Sequence, residues 1–381
     1  MICPTRIKRS FMKNVLVFFG GISCEHDVSV ITGVMTLNAI CKSEYNAVPV
    51  YVSRSGEWFT GDKLKDLSFY KEFKSDGLKK CVLLPMQDTL FLIKSNKLKP
   101  LFKVYSAINC MHGGYGEGGE FTAIFKNSKI PFVCPDLFSS ALAMDKEFTK
   151  IALSSIGVNC LPYVKIHRDN YYLKRDYALK VIRKKLDFPV VIKPAKLGSS
   201  IGISVAKDVR ELEKGIDFAF KFDEKIVVEK GLENFREINC AVYKSGGYTN
   251  VSELEEVEKS EEILSFSDKY KFPVKKTFPA QIDGEIYSRI KAISGAIYRK
   301  LAFSGVIRID FLLRENQIFV NEINSIPGSM AYYLFCKDFN EYSTMISKLI
   351  EESVDNFKSS ALSIKTFDGG ILNLSSSKIR K

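Results

Sequence analysis

The sequence lacks an apolar run long enough for a membrane-spanning helix, which needs about 20 apolar residues. Near the N-terminus, the apolar residues 15–19 are followed at once by two glycines. The apolar part of a secretory signal has about 7 to 15 residues, so this segment is too short for one and fits a first core strand that ends in a turn. We therefore expect a cytoplasmic protein with no membrane partner.

The nine cysteines lack the pattern of a disulfide framework. They are widely spaced and odd in number, and no two of them form a Cys-x-x-Cys pair. This usage is typical of reduced, mostly buried thiols.

Long runs of one charge are also missing from the body of the chain, although 56 Lys and Arg outnumber 44 Asp and Glu and give a net charge of +12. Such a charge would suit nucleic acid, an anionic membrane surface or phosphorylated ligands. The basic residues are scattered singly and in pairs, which favours a solvated surface instead. No nucleic-acid-binding motif accompanies them, so we expect no nucleic-acid partner.

Length and composition indicate a globular protein with more than one domain. At about 150 residues per domain, 381 residues give two or three, and 46% apolar residues suffice for sizeable cores. Short β-branched and aromatic runs, beginning at residues 14–19 and 47–52, alternate with amphipathic stretches in an α/β pattern. We expect an N-terminal α/β domain at residues 1–136, a central subdomain at 137–228 and a C-terminal subdomain at 229–381.

Local patterns predict further elements along the chain. Strands are expected at residues 82–85, 89–93, 107–111, 189–193, 203–205, 225–229, 239–243, 306–313 and 317–324. Helices are expected at residues 139–153, 208–220 and 284–301. Residues 252–277 form a charged segment that we interpret as a loop.

The last two predicted strands form a hairpin that we centre on Asn316. Because alternate residues of a strand share a face, Asp310 would lie opposite Glu322, and Arg308 opposite Asn324. Two facing carboxylates are destabilising unless a cation lies between them, and Asp, Glu and Asn oxygens are ligands that Mg²⁺ prefers. The hairpin thus predicts a Mg²⁺ or Mn²⁺ site, and the alternative is an exposed strand face on which the arginine neutralises the acids.

A loop of small residues, 193–202, follows another hydrophobic strand. Such a loop lets backbone amides approach phosphate oxygens, and Lys193 supplies positive charge at the end of the strand. The loop lacks the Gly-x-x-x-x-Gly-Lys-Ser/Thr string of a P-loop. An ordinary Gly-Ser hairpin is the alternative interpretation.

Two further glycine-rich segments lie in the first predicted domain. Residues 20–29 join the first strand to a probable helix and place Glu25 where a substrate ammonium could pair with it. Helix capping by Ser23 or Asp27 is the alternative. Residues 112–119 contain five glycines in eight positions, which requires an unusual backbone path.

Taken in order, these segments resemble the D-alanine–D-alanine ligase family of ATP-grasp enzymes over roughly residues 12–357. The resemblance is carried by the Gly-rich segments 20–29 and 112–119, by Met144-Asp145-Lys146, by the loop 193–202, and by the hairpin with the following Pro327-Gly328. It implies an ATP-grasp fold in which a parallel-sheet domain precedes two domains that clasp ATP.

The resemblance also implies the ligands and the residues that bind them. ATP would be held by Lys146, Lys193, Ser200, Glu229, Lys230, Leu232, Glu237 and Lys269. Two Mg²⁺ or Mn²⁺ ions would be held by Asp310, Glu322 and Asn324. The family implies a homodimer.

The implied reaction joins two D-alanine molecules through an acyl phosphate, giving D-alanyl-D-alanine for peptidoglycan. The resemblance implies catalytic roles for Glu25, Ser199, Tyr270, Arg308 and Gly328, and substrate contacts for His112, Tyr333 and Leu334. Glu25 would bind the first ammonium, and the Arg308 guanidinium and the Gly328 N–H would stabilise an oxyanion. Lys269 and Tyr270 would belong to a mobile lid.

The sequence departs from the family at the position expected to bind the second substrate. Tyr333 stands where the family commonly has a serine, and its bulk would reshape the pocket. An acceptor other than D-alanine, such as D-serine, D-lactate or another amino acid, therefore stays open as an alternative. A nucleotide-binding sensor without turnover is a second alternative.

Overall fold

The computed structural model describes residues 12–258 and 275–369 of the protein. These residues form three β-sheets, each made of strands that follow one another in the chain, with helices between the strands. Within the described residues, no helix combines the length and the apolar character needed to cross a bilayer.

The first sheet has eight strands in the order β6-β5-β4-β3-β2-β1-β7-β8. The strands are β1 (Lys13–Gly20), β2 (Tyr45–Val52), β3 (Trp58–Thr60), β4 (Lys79–Leu83), β5 (Thr89–Lys94), β6 (Lys97–Lys103), β7 (Ser106–Asn109) and β8 (Phe132–Val133). Strands β2, β1, β7 and β8 are parallel, and β3 to β6 extend the sheet antiparallel. Residues 15–19 of β1 are fully buried, as expected of a parallel strand covered on both faces.

The helices of this first region are α1 (His26–Ala39), α2 (Gly114–Glu117) and α3 (Glu120–Asn127), with two short 3₁₀ helices at Asp62–Lys65 and Leu67–Glu72. Strands β1 and β7 are adjacent and parallel, so their carboxyl ends meet at one edge of the sheet. The two glycine-rich segments begin at this edge, where ligands bind in open α/β sheets.

The second sheet has four antiparallel strands in the order β11-β10-β12-β9. They are β9 (Tyr163–His167), β10 (Val190–Pro194), β11 (Ser204–Ala206) and β12 (Lys225–Lys230). Their helices are α4 (Leu137–Met144), α5 (Lys146–Ser155), α6 (Arg168–Leu173), α7 (Arg175–Lys185) and α8 (Val209–Ala219). The single helix predicted over residues 139–153 is two, because Asp145 is extended and caps α5 by accepting from the Glu147 N–H at 3.1 Å.

The third sheet is antiparallel, in the order β16-β15-β13-β17-β18, and β14 also pairs with β13. Its strands are β13 (Arg236–Ser245), β14 (Tyr248–Val251), β15 (Glu255–Val257), β16 (Lys276–Thr277), β17 (Val306–Arg314) and β18 (Gln317–Asn324). The helices are α9 (Gly284–Lys300), a 3₁₀ helix at Gly328–Leu334 and α10 (Phe339–Ala361). Strands β15 and β16 lie within residues 252–277, so the prediction of a loop there was wrong at these positions.

The hairpin of β17 and β18 turns half a residue earlier than predicted, since Arg314 pairs with Gln317. Continued without interruption, this register would put Asn321 opposite Asp310. The register instead shifts between Asp310 and Phe311, which leaves Asn321 as the extra residue of a β-bulge. The predicted pairings are thereby confirmed, Asp310 with Glu322 and Arg308 with Asn324.

Helix α10 packs against the core of the first sheet. Its buried residues Tyr342, Met345 and Ile346 share one hydrophobic cluster with Val15 and Val17 of β1. By packing, this helix therefore joins the first sheet, although its sequence falls in the predicted domain 229–381.

Candidate active site

A cavity of about 710 Å³ lies between the second and third sheets. Its volume falls in the usual range of small-molecule sites. One part of its wall is apolar, with Phe188, Val191 and Leu312 among its residues. The remainder carries most of the side chains that the sequence assigned to ATP and one assigned to metal, namely Lys146, Lys193, Ser200, Glu229, Lys230, Leu232, Glu237 and Glu322. The cavity can therefore take a ligand with a flat apolar group and an anionic end.

The anionic end of the cavity is defined by a buried charge cluster. The Glu229 carboxylate is 1% exposed and lies 3.1 Å from Lys150 Nζ and 2.8 Å from Lys193 Nζ. Burial alone would raise the pKa of Glu229, but the two ammonium groups outweigh it and lower that pKa to about 2. Two lysines on one carboxylate leave a surplus of positive charge beside the cavity, which suits phosphate.

The bulge residue of β18 completes this cluster. Lys193 Nζ donates a hydrogen bond to Asn321 Oδ1 at 3.0 Å. Because of the bulge, Asn321 and Glu322 both leave the core, whereas Val320 and Ile323 on either side are buried in it. The second and third sheets are thus joined through Lys193.

Lys146 is the first residue of α5, and its side chain is buried. Its Nζ donates to the Leu197 carbonyl, and burial lowers its pKa, as does the nearby Lys193. The helix start is held by Lys225, whose Nζ lies 2.7 Å from Asp145 and 2.9 Å from Glu147. These contacts fix the direction in which Lys146 leaves the helix.

The small-residue loop closes against the N-terminal segment. Ser199 and Ser200 have φ of 53° and 59°, left-handed values that are uncommon for serine. Ser199 Oγ donates a hydrogen bond to the Glu25 carboxylate, 174 positions away in the chain. A Cβ at Gly198 would lie 3.0 Å from that carboxylate, and one at Gly113 would lie 2.6 Å from it. The absence of a side chain at both glycines therefore lets the two loops approach Glu25 closely without displacing its carboxylate.

Glu25 is a carboxylate with little solvent and an acidic neighbour. Burial raises its pKa, the charge of Glu117 raises it further, and the hydrogen bond from Ser199 acts in the opposite direction. The positive charge of a substrate ammonium would offset the two neighbouring carboxylates. It would therefore favour the ionised forms of Glu25 and Glu117.

Glu117 connects the first sheet to the end of the hairpin. Its carboxylate accepts from the Gly113 N–H at 3.0 Å, from Ser325 Oγ at 3.2 Å and from the Ile326 N–H at 3.2 Å. It positions the segment before Pro327 relative to Glu25.

His112 is buried and connects to the same segment on the other side. Its Nε2 lies 2.9 Å from Thr32 Oγ1, which also accepts from the Ser329 N–H at 2.9 Å. Burial lowers the pKa of His112 to about 4. The imidazole is therefore neutral near pH 7, and Thr32 can donate to Nε2 while it receives the Ser329 N–H. A Cβ at Gly328 would meet nothing within 4 Å, so open space lies beside that residue.

The hairpin carries the predicted metal ligands. Arg308 makes two hydrogen bonds with the Asp310 carboxylate, at 2.7 and 2.8 Å, and Asn324 Nδ2 donates to the same carboxylate at 3.1 Å. Burial disfavours the Arg308 charge, but the contact with Asp310 outweighs it and raises the pKa of Arg308. Glu322 faces Asp310 and lines the cavity.

This donor set fits a hard divalent cation. It offers two carboxylates and the remaining amide oxygen of Asn324, which is the oxygen chemistry that Mg²⁺ and Mn²⁺ prefer. In the described ranges, no group of three or more His, Cys, Asp and Glu side chains has a metal-binding arrangement. Among the described residues the remaining ligands of an ion would have to be of another kind, and phosphate oxygens are suitable.

The remaining predicted residues are placed as follows. Tyr333 is half-buried beside the core of the first sheet, and Leu334 is buried in it, so the structure does not present the Leu334 side chain to a substrate. Lys269 and Tyr270 lie outside the described residues.

Sequence reasoning missed four residues of the site. Lys150 follows Lys146 by four positions on α5, a spacing that places both on one helix face and could have identified it. Glu117 lies within the glycine-rich segment already singled out. The sequence does not identify Thr32 or Asn321 as site residues. Thr32 reaches the site through contacts with residues distant in the chain, and Asn321 reaches it because of the bulge.

The sheets and the cavity between them define an ATP-grasp fold. Residues 14–135 match the family model of the D-ala D-ala ligase N-terminus, and residues 152–355 match that of the D-ala D-ala ligase C-terminus. The chain belongs to the D-alanine–D-alanine ligase family. Use of ATP and a divalent metal follows for the family as a whole.

Individual relatives agree with this assignment over nearly the whole chain. The D-alanine–D-alanine ligase of Thermosipho melanesiensis is 38% identical over 375 residues, which cover 95% of this chain and 99% of that protein. The crystal structure of the VanG D-Ala:D-Ser ligase from Enterococcus faecalis matches with a TM-score of 0.77 and 29% identity, covering 90% of this chain and 99% of that one. The D-alanine–D-alanine ligase from Helicobacter pylori matches with a TM-score of 0.74 and 26% identity, covering 89% and 98%.

Proposed function

We propose that the protein joins two D-alanine molecules into D-alanyl-D-alanine for peptidoglycan, with conversion of ATP to ADP and phosphate. The observation that supports this most is the hydrogen bond between Ser199 and Glu25. It brings a carboxylate suited to an amino-acid ammonium next to a loop suited to phosphate. Curated relatives with the name D-alanine–D-alanine ligase support the choice of D-alanine.

In the first step, Glu25 would hold the ammonium of one D-alanine. The carboxylate of that molecule would attack the γ-phosphorus of ATP, the bond to the bridging oxygen would break, and ADP would leave. Lys146 and Lys193 would balance the charge on the phosphate oxygens. Lys230, Leu232 and Glu237, which line the cavity, would contact adenine and ribose, and Ser200 the phosphates.

In the second step, the amine of the second D-alanine would attack the carbonyl carbon of the acyl phosphate. Negative charge would then collect on the carbonyl oxygen before phosphate leaves and the amine loses a proton. The Arg308 guanidinium and the Gly328 N–H are the proposed donors to that oxygen, and removal of one such donor typically costs about 3 kcal/mol in the barrier. Closing the site excludes water, which would otherwise hydrolyse the acyl phosphate.

Asp310, Glu322 and Asn324 would hold two Mg²⁺ or Mn²⁺ ions. Bound there, the ions would neutralise charge on the transferred phosphoryl group. The proposal also includes a homodimer in the cytoplasm, as the family resemblance implies, and the dimer can be tested by light scattering of the purified protein.

The product of the reaction tests the function. Purified protein is given ATP, Mg²⁺ and D-alanine, either alone or with D-serine or D-lactate, and the products are identified by mass. We expect D-alanyl-D-alanine together with stoichiometric ADP and phosphate. A mixed product made in preference would assign another acceptor, and no phosphate release with any amino acid would indicate a non-catalytic ATP-binding protein.

A further inference from the structure

A row of polar side chains crosses the third sheet, from the metal hairpin to the edge strand. Asp310 of β17 lies opposite Asn239 of β13, which lies opposite Glu255 of β15. Lys276 of the edge strand β16 reaches back to this row, with Nζ 3.1 Å from Glu255 Oε1. Since paired residues of neighbouring strands share a face, the whole row lies on the face that carries Arg308 and Asp310.

The middle of this row is buried. The Glu255 side chain is 3% exposed and accepts from Asn239 Nδ2 at 3.2 Å. Asn239 Oδ1 is buried and has no hydrogen-bond partner within residues 12–258 and 275–369. A buried acceptor without a partner among the described residues leaves room for a further donor, such as a ligand or a water molecule.

The outer end of the row is open to solvent. The Lys276 side chain is 45% exposed, so one side of its ammonium contacts Glu255 and another side remains accessible. An ammonium has three N–H donors, and Glu255 does not use all of them. A buried carboxylate needs such a partner, because an unpaired charge is costly in a low-dielectric interior.

Tyr333 joins Lys276 to the reaction site. Lys276 Nζ lies 4.7 Å from the centroid of the Tyr333 ring, a cation–π contact. The 3₁₀ helix that carries Tyr333 also packs against β17, the strand of Arg308 and Asp310. Tyr333 also stands at the position where the family resemblance expects a serine hydroxyl for the second substrate.

We infer that Lys276 binds the carboxylate of the second substrate. Glu255 and the Tyr333 ring position the Lys276 ammonium for this contact. The inference rests on the proposed function. In this inference the Lys276 ammonium binds the carboxylate that a serine hydroxyl would otherwise bind. The acceptor should therefore have a free α-carboxylate. It should also have a small side chain, because the Tyr333 phenol takes up space in the pocket.

The test compares D-alanine with D-alaninamide as acceptor. The amide has no carboxylate to phosphorylate, so it can serve only as the second substrate. In Lys276→Met, we expect kcat/KM for D-alanine as acceptor to fall about 10- to 100-fold, the usual range for one charge-assisted hydrogen bond. The value for D-alaninamide should not change, and neither should KM for ATP. Lys276→Arg, which keeps the charge, should restore most of the preference for D-alanine.

A matched control lies next to Lys276 in the chain. Lys275 pairs with Glu258 at 2.9 Å, and its side chain is 78% exposed. Lys275→Met should discriminate between the two acceptors as the unaltered protein does. Full activity of Lys276→Met with unchanged discrimination would overturn this inference and leave the proposed function intact. Failure of the unaltered protein to release phosphate with D-alanine would overturn both.

Discussion

The two sides of the site differ in how the chain builds them. The proposed nucleotide side, formed by Lys150, Lys193 and Glu229, is buried, and two of its three side chains come from adjacent strands. The proposed acceptor side, formed by Lys276 and Tyr333, is partly open and comes from an edge strand and a 3₁₀ helix. Strand pairing fixes the first side, whereas the second depends on packing between distant segments. We therefore expect changes on the nucleotide side to affect all acceptors equally, and changes on the acceptor side to be selective.

The largest effect is expected at the metal hairpin, which the two sides share. Glu322→Gln removes a carboxylate that faces Asp310 and should lower D-alanine-dependent ADP formation by about 100-fold or more, because metal stabilisation of the transferred phosphoryl group supplies several kcal/mol. Glu315→Gln, in the exposed turn of the same hairpin, is the control and should be unaffected. Near-normal turnover of Glu322→Gln would show that this carboxylate of the hairpin is not needed for the reaction.

The buried cluster on the nucleotide side should affect stability as well as ATP binding. Lys150→Met leaves the Glu229 carboxylate, which is 1% exposed, with one lysine instead of two. We expect the free energy of unfolding in urea to fall by about 3 kcal/mol, the usual cost of breaking a buried ion pair. KM for ATP should rise with every acceptor. Lys184→Met, at an exposed position of α7, should change neither quantity. If Lys150→Met changed KM for ATP with one acceptor and not with another, the expectation that the nucleotide side affects all acceptors equally would be wrong.

The pH dependence of stability tests the contact between His112 and Thr32. Because the pKa of His112 is about 4 in the folded protein and ordinarily 6.5, the unfolded chain binds more protons between these values. The neutral imidazole thus contributes stability that is present above pH 6.5 and is lost as the pH falls toward 4, up to about 3 kcal/mol. We expect His112→Asn to lose less stability than the unaltered protein over this range in urea titrations.

The exposed His167 supplies the control for this pH series. His167→Asn should follow the unaltered protein at every pH. Equal slopes for all three proteins between pH 6.5 and 4 would show that His112 titrates normally and is not held neutral by burial.

The smallest effect is the most selective one. Tyr333→Ser should change the relative kcat/KM of D-alanine and D-serine as acceptors by roughly 10-fold, because it enlarges the pocket and adds a small hydroxyl. The affinity for ATP, measured by titration calorimetry, should stay nearly constant. An unchanged acceptor profile would place the second-substrate pocket elsewhere.

Local sequence patterns predicted the parts of the site that strands hold. The alternation of Arg308 with Asp310 predicted one polar face, and their pairing with Asn324 and Glu322 is observed. The predicted pairing is correct because two deviations cancel. The turn lies half a residue earlier than predicted, and the bulge at Asn321 shifts the register back. Periodicity alone gives the faces of a strand but does not reveal a bulge.

The parts that depend on long-range packing were not predictable in the same way. The amphipathic pattern of α10 shows that one face is buried, but it does not show that the first sheet covers it. In the sequence Thr32 cannot be distinguished from any other buried threonine. Its role follows only from the hydrogen bond that it accepts from the Ser329 N–H, 297 positions away. Lys276 was assigned to a loop, because strands of two or three residues in a charged segment show no clear period.

The most direct test of the account is a crystal structure of the protein with Mg²⁺ and a non-hydrolysable ATP analogue. We predict the nucleotide in the 710 Å³ cavity, with its triphosphate against Lys146 and Lys193 and with metal between Asp310 and Glu322. A nucleotide bound elsewhere, or a triphosphate turned away from both lysines and from the hairpin, would contradict the account.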